Sequence, residues 1–121
     1  MSPRLPVFLL LALAGFAGAD AKWGYTLNRE RAQQQANFCS DETEVRQIAD
    51  VFAAKGPRPG FEALQESKQC ALRVATFTPL EIITQVVIAA GEPTEYTVSF
   101  LWAQIAGGEK QILVTTRFVT R

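Results

Sequence analysis

The chain has 121 residues, of which 48% are hydrophobic, and it balances 12 Lys and Arg against 12 Asp and Glu. This length predicts one domain, and the neutral charge gives no electrostatic reason to expect nucleic acid or an anionic membrane as a partner. The chain contains no His, so the usual general base, proton shuttle and metal ligand is missing.

The first residues are typical of a cleaved signal peptide. A short segment whose only charged side chain is Arg4 precedes the apolar run Val7 to Ala14, and small residues follow it. The apolar stretch from Leu5 to Ala19 is shorter than the roughly 20 residues that a membrane-spanning helix needs. We therefore predict cleavage before Asp20, with Lys22 as the alternative start, and no membrane anchor after cleavage.

Residues 1–19 are thus a predicted signal peptide, and residues 20–121 are a predicted single α+β domain in the periplasm or outside the cell. Cleavage removes Arg4 and leaves a net charge of −1. Cys39 and Cys70 are predicted to form a disulfide bond, because an even number of cysteines in an exported chain is typical of an oxidised pair. Free thiols or a redox pair are the alternatives, although no Cys-x-x-Cys motif is present.

Three segments precede the main helix or form it. Lys22 to Asn28 alternates apolar and polar residues, which favours a short strand or an extended arm lying on the sheet. Arg29 to Phe38 contains good helix formers and few apolar residues, and it predicts a mostly solvated helix. Ser40 to Lys55 predicts the main helix, with Ser40 or Asp41 as the N-cap. Its apolar residues recur at helical spacing and form one face: Val45, Ile48, Ala49 and Phe52.

The second half of the chain predicts a four-stranded antiparallel meander. Gly56 to Gly60, with two prolines, predicts a linker into it, and Phe61 to Leu64 a single helical turn. Apolar residues then alternate between turn signals at Thr78-Pro79, at 91–93 and at Gly107-Gly108. The predicted strands are Gln69–Phe77, Leu80–Ala89, Thr94–Ile105 and Lys110–Thr120. Their more apolar face is the predicted core under the main helix, and it includes Leu72, Val74, Phe100, Trp102 and Phe118.

The order of one main helix followed by an antiparallel meander resembles the cystatin-type α+β folds, here with an extra N-terminal strand or helix. The resemblance rests on element order and implies the fold class alone, because fold does not imply function. The loop motif by which cystatins block their proteases is not found in this sequence. An inhibitor role is therefore not implied by the resemblance.

The second face of the predicted sheet is mixed in character. Antiparallel sheets usually leave one face wet, yet this face combines apolar and charged side chains. We predict that it binds a protein partner, through residues that include Ile83, Val87, Leu101, Leu113, Arg73 and Arg117. The alternative is that the N-terminal arm, with Trp23, Tyr25 and Leu27, covers its apolar members.

The sequence predicts a non-catalytic binding protein, such as an inhibitor, an immunity factor or an accessory subunit. No Gly-x-Ser-x-Gly motif, phosphate-binding loop or dinucleotide fingerprint occurs, and we predict no catalytic residue, metal site or cofactor. The acidic residues Asp41, Glu42 and Glu44 are explained by the dipole of the main helix. The alternative is a small-ligand carrier or a minor enzyme with a pocket between helix and sheet. The oligomeric state stays open.

Overall fold

A computed structural model of the protein describes residues 24–89 and 95–121, and it has an α+β fold. The elements in chain order are β1 (Tyr25–Thr26), β2 (Arg31–Cys39), α1 (Glu42–Lys55), α2 (Pro57–Glu66), β3 (Cys70–Ala89), β4 (Glu95–Ile105), β5 (Lys110–Thr115) and β6 (Val119–Thr120). The predicted signal peptide and Trp23 lie outside the described residues, so both predictions about them stay predictions.

Four strands, β2 to β5, form an antiparallel sheet whose hydrogen-bonded order closes on itself. β3 is 20 residues long, and its first half pairs with β2 while its second half, from Phe77, pairs with β4. β5 pairs with both β4 and β2 and completes the ring. The predicted four-stranded antiparallel sheet is confirmed, and its strands are neighbours in sequence order, but they are not the four strands that were predicted. One of the four strands is β2, and two predicted strands are a single strand.

The predicted turn at Thr78-Pro79 is wrong because a bulge accommodates the proline inside β3. The register between β3 and β4 shifts between Pro79 and Glu81, which marks a bulge. Proline has no backbone N–H to donate, and bulges are among the few places in a sheet where this missing donor is tolerated. The Pro79 carbonyl accepts a hydrogen bond from the Asn28 N–H at 2.6 Å. The segments 69–77 and 80–89 therefore belong to one strand.

The predicted helix Arg29–Phe38 is wrong, because most of this segment is β2. Ala36 and Phe38 lie on the same side of the strand and are buried. Residues 37–39 pair with β5 on one side and with β3 on the other. This pairing and burial override the helix propensity of the Ala and Gln residues.

The predicted main helix is confirmed as α1. Asp41 is its N-cap, and the Asp41 carboxylate accepts a hydrogen bond from the Glu44 N–H at 3.2 Å. Such a cap supplies a partner for one of the first N–H groups of the helix. The predicted apolar face is buried. The helix ends before Gly56, whose φ of 94° is favourable for glycine.

The predicted linker Gly56–Gly60 is wrong, because α2 begins at Pro57. Proline suits the first turn of a helix, where its missing N–H has no helical partner to lose. Gly60 lies so close to α1 that a Cβ atom would come within 2.3 Å of the Phe52 ring. This close approach lets α2 pack on α1, and the Phe52 and Phe61 rings meet edge to face at 4.9 Å.

Two apolar clusters flank the sheet. The helix-side core joins α1 and α2 to one sheet face, and its buried members are Cys39, Val45, Ile48, Ala49, Phe52, Leu64, Ile88, Val98, Phe100, Ile112 and Val114. The second core lies on the other face, and its buried members are Tyr25, Ala36, Phe38, Phe77, Leu101, Ala103 and Leu113. The expected core position of Leu72, Val74 and Phe118 is wrong, since all three are more than half exposed.

The two ends of the described chain meet at the second core. β1 pairs in parallel with β6, and the predicted last strand 110–120 is divided because the chain bends after β5. Tyr25 is only 1% exposed, and its ring lies edge-on to the Phe77 ring at 5.5 Å. The short N-terminal strand is thus the element that brings Tyr25 into the second core.

Candidate functional site

The apolar centre of the predicted partner face is closed. Leu101 and Leu113 are 0% exposed and belong to the second core. Tyr25 lies in the same cluster, and Leu27 and Val119 pack against it. The N-terminal segment therefore covers this part of the sheet, as the alternative interpretation of the face expects.

The two arginines of the predicted face pack against aromatic rings. The Arg117 guanidinium lies 5.7 Å from the centre of the Tyr25 ring, and its Nη1 donates to the Gln34 side-chain oxygen at 3.5 Å. The Arg73 guanidinium lies 5.3 Å from the centre of the Phe38 ring. Cation–π contacts of this kind hold a guanidinium in a defined position while it keeps its charge.

The last two residues of the predicted face lie apart from each other. Ile83 packs against the helix-side core, so its side chain belongs to the opposite side of the sheet. Val87 is 63% exposed and lies opposite Thr97. The six predicted residues therefore do not form one surface, and only Val87 offers a largely exposed apolar side chain.

The predicted disulfide bond between Cys39 and Cys70 is present. Its Cα atoms are 4.0 Å apart and the two residues face each other across β2 and β3. Both belong to the helix-side core, next to the N-terminus of α1. The bond therefore joins the start of β3 to the strand that leads into α1.

The exposed apolar surface that sequence reasoning missed lies at the start of β3. Leu72 and Val74 are 61% and 56% exposed. Both lie on the face that carries Cys70, opposite Asn37 and Gln35 of β2. Their alternation predicted burial, but at the start of β3 Cys70 packs against the buried helix-side core and neither of these two residues belongs to it. No feature of the sequence marks where the helix layer stops.

A cleft adjoins this surface where α2 meets the sheet. Its volume is about 210 Å³. Phe61 and Leu64 form its α2 wall, Leu72 and Val114 lie along the sheet, and Arg117 lines it too. The cleft thus combines an apolar wall with a cation, and it is a pocket between helix and sheet.

The described residues contain neither a cluster of metal-binding side chains nor a membrane-spanning helix. No group of three or more Cys, Asp or Glu side chains in residues 24–89 and 95–121 could hold a metal ion. Within the same ranges, no helix is long and apolar enough to cross a membrane.

Comparison of the chain with protein-family models, with curated proteins and with solved structures gives no match. The resemblance to cystatin-type folds therefore stays an analogy of element order, and the function must be argued from the residues themselves.

Proposed function

We propose that the chain is a small exported, non-catalytic binding protein that holds a protein partner at the uncovered start of β3. The observation that carries this proposal is the exposure of two apolar residues to solvent: Leu72 is 61% exposed and Val74 is 56% exposed. Single exposed apolar residues are common, but neighbouring ones beside a cleft are typical of an interaction site. The two residues share one strand face, and Leu72 also lines the cleft at α2.

Export is part of the proposal and has two supports. The first 19 residues have the pattern of a signal peptide. The chain also forms the Cys39–Cys70 bond, and such bonds persist in oxidising compartments outside the cytosol.

The residue inventory supports a binding role over catalysis. The chain has no His, which removes the commonest acid–base group. Both cysteines are in the disulfide bond, so neither offers a thiolate nucleophile. Members of the proposed class that fit these features are an inhibitor, an immunity factor or an accessory subunit.

The test replaces Leu72 with glutamate in the immobilised mature protein and probes it with the exported fraction of the source cells. We expect the same partner to bind the wild type and Val87→Glu, and to lose at least tenfold in affinity for Leu72→Glu. A charge at the centre of an apolar contact is costly to desolvate. Val87→Glu is the matched control because Val87 is similarly exposed but lies elsewhere.

Affinities would be measured by biolayer interferometry once the captured protein is purified. Equal binding to Leu72→Glu and wild type would overturn the proposed surface. Retention of no specific protein would overturn the binding function.

A small-ligand carrier is the second candidate, and the cleft of about 210 Å³ at α2 favours it. Its apolar wall and Arg117 suit a small amphipathic anion. Anilinonaphthalene sulfonate is such a probe. We expect its fluorescence to rise on binding and to fall at least fivefold for Thr116→Phe, which fills the cleft lining. Val87→Glu is the control, because Val87 does not line the cleft and the fluorescence should stay unchanged. A fluorescence signal that Thr116→Phe does not reduce would count against this candidate.

A further inference from the structure

The first half of β3 is an edge strand within the described residues. β2 pairs with it from Cys70 to Phe77, whereas pairing with β4 begins only at Phe77. The side opposite β2 therefore has no strand beside it in the described chain. All residues from Ala71 to Val74, which we call the open edge, are exposed.

The spacing at the disulfide bond shows which backbone groups point to that side. In antiparallel pairs, residues whose Cα atoms lie about 4.5 Å apart are not hydrogen-bonded to each other, and their N–H and C=O groups point away from the partner strand. Cys39 and Cys70 are 4.0 Å apart, so Cys70 is such a residue. The register then continues without a shift, and Leu72 and Val74 have the same orientation.

Two hydrogen bonds at the ends of this segment agree with that orientation. The Cys70 N–H donates to the Ser67 carbonyl at 3.3 Å, and the Thr76 carbonyl accepts from the Ala106 N–H at 2.9 Å. Both bonds lie on the side away from β2. Between them, the N–H and C=O groups of Leu72 and Val74 face outward, at the spacing that an added strand needs.

The open edge lacks three of the devices that keep natural edge strands apart, which are proline, lysine and bulges. Natural edges are blunted by proline, by lysine, by bulges or by short length. Ala71 to Val74 contains no proline, no lysine and no register shift. Its one charge, Arg73, is directed over the Phe38 ring on the face opposite to Leu72. The backbone of the edge thus stays accessible.

We infer that the partner binds by strand addition, with an extended segment pairing along the backbone of Leu72 and Val74; this inference rests on the proposed function. Strand addition is a common mode of peptide recognition, in which the backbone gives affinity and alternate side chains give specificity. The segment places apolar side chains beside Leu72 and Val74. On its other face it places a carboxylate beside Arg73, which has no ion-pair partner among the described residues.

Arg73 also argues for a different protein over a second copy of this chain. Twofold antiparallel pairing about Arg73 would bring two guanidinium groups directly opposite each other. Pairing centred on Leu72 or Val74 would leave them as diagonal neighbours on one face, roughly 7–8 Å apart. An acidic segment avoids this repulsion and neutralises the charge, so the partner is an extended acidic segment of another protein.

The experiment selects binders from a phage-displayed library of random decapeptides and compares two substitutions at one site. Val74→Pro removes an N–H that points outward, which edge strands tolerate, while Val74→Thr keeps that N–H and a β-branched side chain. We expect enriched peptides to alternate apolar and acidic residues. They should bind wild type and Val74→Thr within threefold, and Val74→Pro at least tenfold more weakly.

Amide hydrogen exchange gives a second, independent readout. In the free protein, Leu72 and Val74 should exchange fast, whereas Ala71 and Arg73, bonded to β2, should exchange slowly. Bound peptide should slow Leu72 and Val74 at least tenfold. Enrichment of no peptide, or equal binding to Val74→Pro with its fold intact by circular dichroism, would overturn strand addition.

Two results separate this inference from the proposed function. If the natural partner binds Val74→Pro normally but fails to bind Leu72→Glu, the surface is correct and strand addition is wrong. Slow exchange of Leu72 and Val74 in a free protein that elutes as a dimer would assign the edge to a second copy, and it would overturn the partner named here.

Discussion

Replacing Leu101 with aspartate is expected to unfold the protein at room temperature. Leu101 is 0% exposed in the second core, so the substitution removes apolar contacts and buries a carboxylate without a partner. An uncompensated buried charge together with a lost large side chain costs about 3–5 kcal/mol or more. This is comparable with the whole stability of a small domain, about 5–15 kcal/mol. Thermal unfolding followed by circular dichroism measures the effect.

Val87→Asp is the matched control for that experiment. Val87 is 63% exposed, and substitutions at such positions usually change the free energy of unfolding by less than about 0.5 kcal/mol. A folded Leu101→Asp variant with near-normal stability would contradict the buried position of Leu101. It would also reopen the second face as a surface for a partner.

The Cys39→Ala, Cys70→Ala double variant is expected to lose about 3–4 kcal/mol of stability. The bond closes a loop with a sequence separation of 31, and most of its effect in the chain-entropy model is to restrict the unfolded chain. For a domain of about 100 residues, this loss corresponds to a fall in melting temperature of more than about 10 °C. Urea denaturation at fixed temperature measures the difference in free energy.

Reduced wild-type protein provides the control for the disulfide variant. Its stability should match that of the double variant, since neither contains the bond and the fold is otherwise unchanged. A loss below about 1 kcal/mol would show that the unfolded chain is already restricted near Cys39 and Cys70. Free thiols in the unfolded, unreduced wild type would contradict the bond itself.

The features that sequence reasoning predicted correctly depend on local signals or on simple chemistry. Asp41, the first-turn acids and the spacing of Val45 to Phe52 all belong to α1 itself, and they are sufficient to define it. The pairing of Cys39 with Cys70 follows from there being only two cysteines. Neither prediction needs knowledge of distant contacts.

The errors in the fold arise where distant contacts decide the structure. The segment 31–39 has helix-favouring residues, but it pairs with β3 and β5, which lie far along the chain. Pro79 looks like a turn residue until the bulge in β3 is known. Gly60 looks like a helix breaker until the ring of Phe52 fills the place of its Cβ atom.

At the candidate site, the sequence failed to predict which residues are exposed. Alternation correctly divides a strand into two faces, but it carries no information about which end of a face is covered. Alternation assigns Leu72 and Phe100 to the same face of the sheet, the face toward the helices. Leu72 is nevertheless 61% exposed, whereas Phe100 is 0% exposed. The difference is set by where α1 and α2 end, which is a property of the packed molecule.

The length of β3 makes the two halves of the molecule thermodynamically dependent on each other. Its Phe77 belongs to the second core and its Ile88 to the helix-side core, and a single run of backbone connects them. Neither core can lose its share of this strand without weakening the pairing that holds the other. The helices and the Tyr25 region should therefore melt as one cooperative unit, with a single transition for both.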